Sequence, residues 1–235
     1  MLNYFTFNGT DSRDFGVYIS GQGTFNAPER AYSLMKVPGR DGALVGFDNR
    51  LENVELTYPA FICSNFSQNM EDFRSFLLSQ VGYQKLVDSY HPNEYRMAIY
   101  PGAFEAEVTS LNDAGQFDIT FVCKPQRFLN SGDNVTTLTA STSISNPTLF
   151  NAQPLMRVYG TGVLGIGSQS VTISTADSFT DIDCEMMDCY KGTASKNRYV
   201  SFSNYKFPVL SPGTNNITLG TGITKVEITP RWWVL

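Results

Sequence analysis

The chain has 235 residues, 42% of them hydrophobic and only 17% charged, with a formal net charge of −5. That length buries a full core and accommodates one large all-β domain or two smaller ones. Residues 1–130 carry 10 basic and 15 acidic side chains and residues 131–235 carry 7 of each, so no basic face is implied and sequence-independent phosphate binding is not expected.

No apolar run approaches the ~20 residues of a membrane helix. Residues 1–7 alternate apolar and polar side chains as a strand does, with no basic segment ahead of an apolar run. The expectation is therefore synthesis in the cytoplasm without a signal peptide. Residues 2–7 and 15–20 read as strands joined by the turn formers of 8–14.

Residues 25–58, beginning at Phe25, organise the chain around them. At their centre Pro38-Gly39-Arg40-Asp41-Gly42 reads as a tight turn. Pro38 fixes φ, both glycines accept positive φ, and Asp41 bonds its own downstream backbone. Residues 32–37, 43–47 and 54–58 favour strands by composition. A guanidinium at a hairpin tip can grip a carboxylate bidentately, within the fold or on a neighbour. Arg40, with Arg30 and Asp41, is thus a candidate structural or inter-subunit contact; the plain alternative is a solvated turn arginine.

Residues 54–63 continue as a strand in which Pro59 predicts an edge or a bulge. The spacing of Met70, Phe73, Phe76 and Leu77 predicts the one clear helix over 69–81, capped by Asn69 or Ser67 and stopped by Gly82. Further strands are expected at 83–87, 94–100, 104–108 and 115–123. In the last two, Phe104, Ala106 and Val108, then Phe117, Ile119 and Phe121, alternate with polar residues, the period of a sheet with one wet face. Cys63 and Cys123 sit in apolar strand-like runs, which predicts buried free thiols. The single histidine, His91, lies in a loop without a nucleophile-elbow sequence, and reads as a structural or exposed loop residue.

Charge thins after residue 130, where a domain boundary is expected: 1–130, then 131–235. Short strands and glycine turns alternate from 154 onward, as in a β-sandwich. The last strand is free to return to the first domain.

Four patterns invite a chemical reading. Asp181, Asp183 and Glu185 share one face of a strand, but the catalytic carboxylate pattern they mimic belongs to a barrel of alternating strands and helices. A solvated strand face is expected. Cys184 and Cys189 lack a second ligand pair, so no metal is expected; a disulfide stays open. Gly160-Thr-Gly-Val-Leu-Gly165 matches a dinucleotide fingerprint, yet strand and turn come after it instead of a helix. Trp232 and Trp233 offer a sugar-stacking face, although adjacent strand residues point oppositely and only one can serve. No catalytic residues, metal or cofactor are assigned.

The chain resembles the distal tail protein (Dit) family of long, non-contractile-tailed phages of Gram-positive bacteria. The likeness rests on Phe7-Asn-Gly-Thr-Asp-Ser-Arg-Asp-Phe-Gly-Val17, Ala27-Pro-Glu-Arg30, Val37-Pro-Gly-Arg-Asp-Gly42, Gly82-Tyr-Gln-Lys-Leu-Val-Asp-Ser89, Gly115 to Pro125 with Arg127, Leu210-Ser-Pro-Gly213 and Thr229-Pro-Arg-Trp-Trp233. These motifs run in order along nearly the whole chain. The resemblance implies a mainly β, two-domain fold: an N-terminal β-sandwich with one helix that forms a hexameric ring, and a C-terminal galectin-like β-sandwich. It implies a non-enzymatic hub in the virion, at the distal tail or baseplate. The partners it implies are five further copies of the chain, the major tail tube protein, the tail-associated lysin or tip protein and a receptor-binding protein. Phage DNA would pass only through the lumen, past acidic N-domain groups, and no membrane is involved. The alternative is a carbohydrate-binding adhesion module using the C-terminal sandwich and Trp232 or Trp233.

Overall fold

The computed structural model describes residues 2–21, 23, 26–109, 113–175 and 177–235; Phe25, at the head of the stretch around the central turn, lies outside them. Two compact units emerge, Met1–Arg127 with Leu235, and Phe128–Val234.

The first unit opens with β1 (Phe5–Phe7), β2 (Thr10–Asp11), β3 (Val17–Ile19), β4 (Arg30–Lys36), β5 (Ala43–Leu51) and β6 (Val54–Ile62). After α1 (Phe66–Ser79) come β7 (Gln84–Asp88), β8 (Glu94–Ile99), β9 (Ala106–Thr109) and β10 (Ala114–Leu129). One curled sheet runs in the order β2-β1-β7-β8-β10-β6-β3, with β9 added to β10. β4 and β5 stand apart as a two-stranded sheet.

Strict alternation builds this sheet. Along β6, Val54, Leu56, Tyr58, Ala60 and Ile62 are buried while the residues between them face outward. Leu56, Tyr58, Ala60 and Ile62 join Phe117, Ile119, Phe121 and Cys123 of β10 in one core, against which α1 lays Phe66, Met70, Phe73 and Leu77. Phe121 is the hub of its aromatic contacts, 5.0 Å from Phe7 and 5.4 Å from Phe5 between ring centroids.

Three local expectations are corrected. Pro59 marks neither an edge nor a bulge, because β6 pairs with β10 in unbroken register through Asp118↔Pro59. The Pro59 carbonyl accepts from Ser20 N–H on the other side. A strand residue's N and C=O point the same way, so its missing N–H falls just past the end of β3. The helix starts at Phe66, three residues ahead of the predicted 69, and its N-cap is Asn65 in the left-handed region, not Ser67 or Asn69. It ends at Ser79 with Gln80 as C-cap, before Gly82. Cys63 is exposed, since it continues the outward-facing set of β6.

The second unit carries β11 (Thr136–Leu138), β12 (Thr142–Asn146), β13 (Leu155–Gly160), β14 (Gly162–Ile166), β15 (Gln169–Ile173) and β16 (Thr180–Asp183). After these come β17 (Asp188–Lys191), β18 (Ala194–Ser195), β19 (Val200–Phe202), β20 (Gly213–Leu219), β21 (Ile223–Thr229) and β22 (Trp233–Val234). A six-stranded sheet, β11-β21-β13-β16-β17-β18, and a five-stranded sheet, β12-β20-β14-β15-β19, enclose one core between them. Met156, Val158 and Val226 come from the first sheet, Leu164, Val171 and Ile217 from the second. The final segment closes this sandwich: Arg231 N–H donates to Gly132 C=O and Leu129 N–H to Trp232 C=O, both at 2.8 Å. Gly132 is required there, because any side chain would run into the Trp232 backbone.

Candidate functional site: an exposed apolar hairpin

β4 and β5 form the hairpin that the central turn predicts, in register Tyr32↔Phe47, Leu34↔Val45, Met35↔Leu44 and Lys36↔Ala43. Gly39 and Gly42 sit at φ +79° and +78°, values that glycine adopts without the Cβ penalty. Arg40 N–H closes the turn onto Val37 C=O at 3.2 Å.

What composition alone does not reveal is how little of this ribbon is covered. Within β4 only Ala31 is buried. Directly paired residues share a face, so Tyr32 with Phe47 and Leu34 with Val45 form one apolar surface; they are 53%, 56%, 59% and 52% exposed. Met35 and Leu44 line the opposite face, also exposed. With about 3.3 Å per residue, the seven residues of β4 carry the tip roughly 20 Å from the hairpin's base. An isolated two-stranded ribbon is marginal in water, and a contiguous apolar patch on a soluble protein marks an interaction surface.

The base is tied down by polar contacts. Glu52 N–H donates to Glu29 C=O at 2.8 Å, Asn26 Nδ2 to Glu55 C=O at 3.0 Å, and Arg50 pairs with Glu52 at 3.1 Å. Arg30 lies exposed at the start of β4, while Arg40 and Asp41 lie exposed at the tip. Among the described residues the guanidinium of Arg40 makes no ion pair.

The remaining candidate residues are structural. Asp181 and Asp183 are not on a solvated face: they are 5% and 2% exposed. Register places Arg157 of β13 opposite Asp181, and its Nε and Nη2 donate to the two Asp181 oxygens at 2.7 and 2.9 Å. Arg231 grips Asp183 the same way at 2.7 and 2.9 Å, and the N–H groups of Glu185 and Met186 donate to Asp183 Oδ1. Burial pushes the Asp183 carboxyl up, but Arg231 and these two N–H groups outweigh it and hold it below the usual carboxylate range. Both carboxylates are thereby spent on bidentate pairs. The alternation Met156-Arg157-Val158 was the legible half of this network; the partners required the register.

Cys123, Cys184 and Cys189 are buried free thiols. Burial pushes Cys123 and Cys189 up to about 12 and Cys184 higher still. His91 Nδ1 lies 3.1 Å from Asp88 Oδ1, and Tyr58 OH donates to Asp88 Oδ2 at 2.6 Å; the aspartate pins the loop to the sheet. Trp232 is 5% exposed in the second core, with no face for a sugar ring. Trp233 stacks on Phe150 at 4.4 Å and donates Nε1–H to Asn151 C=O. Among the described residues, no group of three or more His, Cys, Asp or Glu is arranged to hold a metal ion. No helix among them is long and apolar enough to cross a membrane.

Residues 9–123 match the family model of a phage tail protein RIFT-related domain. Across the full length of both chains, the fold is similar to the crystal structure of SPP1 Dit, a paradigm of the hub adsorption apparatus in Gram-positive-infecting phages, with a TM-score of 0.75 and 15% identity. Comparison with curated proteins gave no match. The resemblance to siphophage distal tail proteins and the mainly β fold class are borne out by these matches.

Proposed function

We propose that the protein is a non-enzymatic structural hub at the distal end of a long, non-contractile phage tail. Six copies close into a ring through the first unit, and the ring joins the tail tube to the tip protein and the host-adsorption apparatus. The second unit, a galectin-like sandwich in this reading, serves as an anchorage for receptor-binding modules. Phage DNA crosses the lumen without being bound.

One observation carries this reading: a hairpin with apolar side chains exposed on both faces, inside the segment that matches a phage tail domain. A head-to-tail contact between identical chains places different patches in contact, and it closes into a ring when the rotation permits. The likeness to SPP1 Dit adds a fold precedent for a hub. The buried pairing of Asp181 and Asp183 supports the absence of hydrolytic chemistry, since neither carboxylate is free to move a proton. Negative-stain images of the purified chain test the proposal. Class averages with six-fold rings around an open centre are expected; a field of single particles of one-chain size would refute it.

A further inference from the structure

The first unit carries a second surface with unspent chemistry. Pro59 and Phe61 of β6, Asp118 of β10, and Phe104, Glu105 and Glu107 line a groove of about 620 Å³, whose lining also includes the buried Ala60 and Phe117. Register sets Asp118 opposite Pro59 and Gln116 opposite both Phe61 and Glu107, so Phe61 and acidic groups meet on one face, while Phe104 stacks on Phe117 of the core at 5.1 Å. Glu105, Glu107 and Asp118 are exposed. Among the described residues, none of the three has a cation within ion-pair distance, and every lysine and arginine of the chain is among those residues.

The hairpin tip is its complement. Lys36, Val37, Pro38 and Arg40 are exposed there, two cations flanking an apolar step, and neither cation has an acidic partner among the described residues. We infer that the β4–β5 tip of one copy docks in the Phe61–Phe104 groove of the next, with Lys36 and Arg40 meeting Glu105, Glu107 and Asp118. Val37 and Pro38 cover Phe61, and the charges fix register and direction. The two patches differ and sit on one chain, so each copy gives a tip and receives one. This rests on the ring reading and names its contact.

Charge reversal tests it, with sedimentation velocity at micromolar protein as the readout. Three proteins are compared: the natural chain, Lys36→Glu with Arg40→Glu, and Glu105→Lys with Glu107→Lys. All four positions are exposed, and an unchanged melting temperature verifies that each variant folds. The natural chain is expected to run as a ring and each variant alone as a single chain. An equimolar mixture of the two variants is expected to regain ring mass, because each reversed tip then meets a reversed groove in an alternating ring. A natural chain that stays monomeric refutes both the ring and this contact. A natural ring with either variant still at ring mass overturns the contact while leaving the ring standing. Variants that dissociate but fail to rescue each other also overturn it, since tip and groove then meet something other than one another.

Discussion

Arg231 sits in the left-handed region at φ +58°, a conformation disfavoured for a residue with a side chain, and spends its guanidinium on Asp183. Removing one partner of a buried pair strands the other charge. Arg231→Met is therefore expected to lower the unfolding free energy by about 3 kcal/mol, read from urea denaturation. The pH dependence has a definite sign. A carboxyl held below its ordinary value contributes stability that is present above that value and lost as pH falls through its own lower one. The natural chain should lose this contribution below about pH 4, whereas in Arg231→Met the stranded carboxyl is relieved by protonation. The stability gap between them should narrow at pH 3; a gap that stays constant would show that the loss does not come from the charge on Asp183. Cysteine chemistry separates by burial in the same way. A thiol reagent at pH 8 is expected to titrate Cys63 alone in the native protein and all four thiols in denaturant. Fast reaction of a second native thiol would mean that the cores around Cys123, Cys184 and Cys189 open readily. That Cys63 faces outward was legible in the alternation of β6, carried one residue past its end. Burial inferred from apolar neighbours alone misses it.

Among elements, the hairpin and the helix were legible to different depths. Turn chemistry at Pro38 to Gly42 located the hairpin, because positive φ at two fixed positions demands glycine. Its exposure was hidden, since a run such as Tyr32-Ser-Leu-Met-Lys36 reads the same whether a core or a neighbouring molecule covers it. The helix's inner face came from three- and four-residue spacing. Its start did not, because the donors there are satisfied from far along the chain: Asn65 N–H donates to the Asp113 carboxylate at 2.9 Å, and Phe66 N–H to the Asp113 carbonyl at 3.2 Å. No local capping motif encodes that. For the hairpin, Tyr32→Ser with Phe47→Ser is expected to leave the melting temperature within about 2 °C of the natural value, since exposed substitutions shift stability little. Self-association should nonetheless weaken at least tenfold. A large loss of melting temperature in dilute monomer would mean that the pair packs within its own chain.

At the scale of the molecule, two cores of different construction share one chain. The first packs a helix and many aromatic rings on a curled sheet, and the second packs branched aliphatic side chains between two sheets. Both are complete in themselves, and the apolar surface that remains uncovered in the first unit is concentrated on one projecting ribbon. A monomer gains nothing from such a ribbon; an assembly gains a contact that each copy both offers and accepts. Sedimentation equilibrium of the natural chain across a micromolar concentration series tests this most directly. Six chain masses, falling toward one as the protein is diluted or the hairpin pair is replaced by serine, is the predicted result. A single chain mass throughout the series would contradict it.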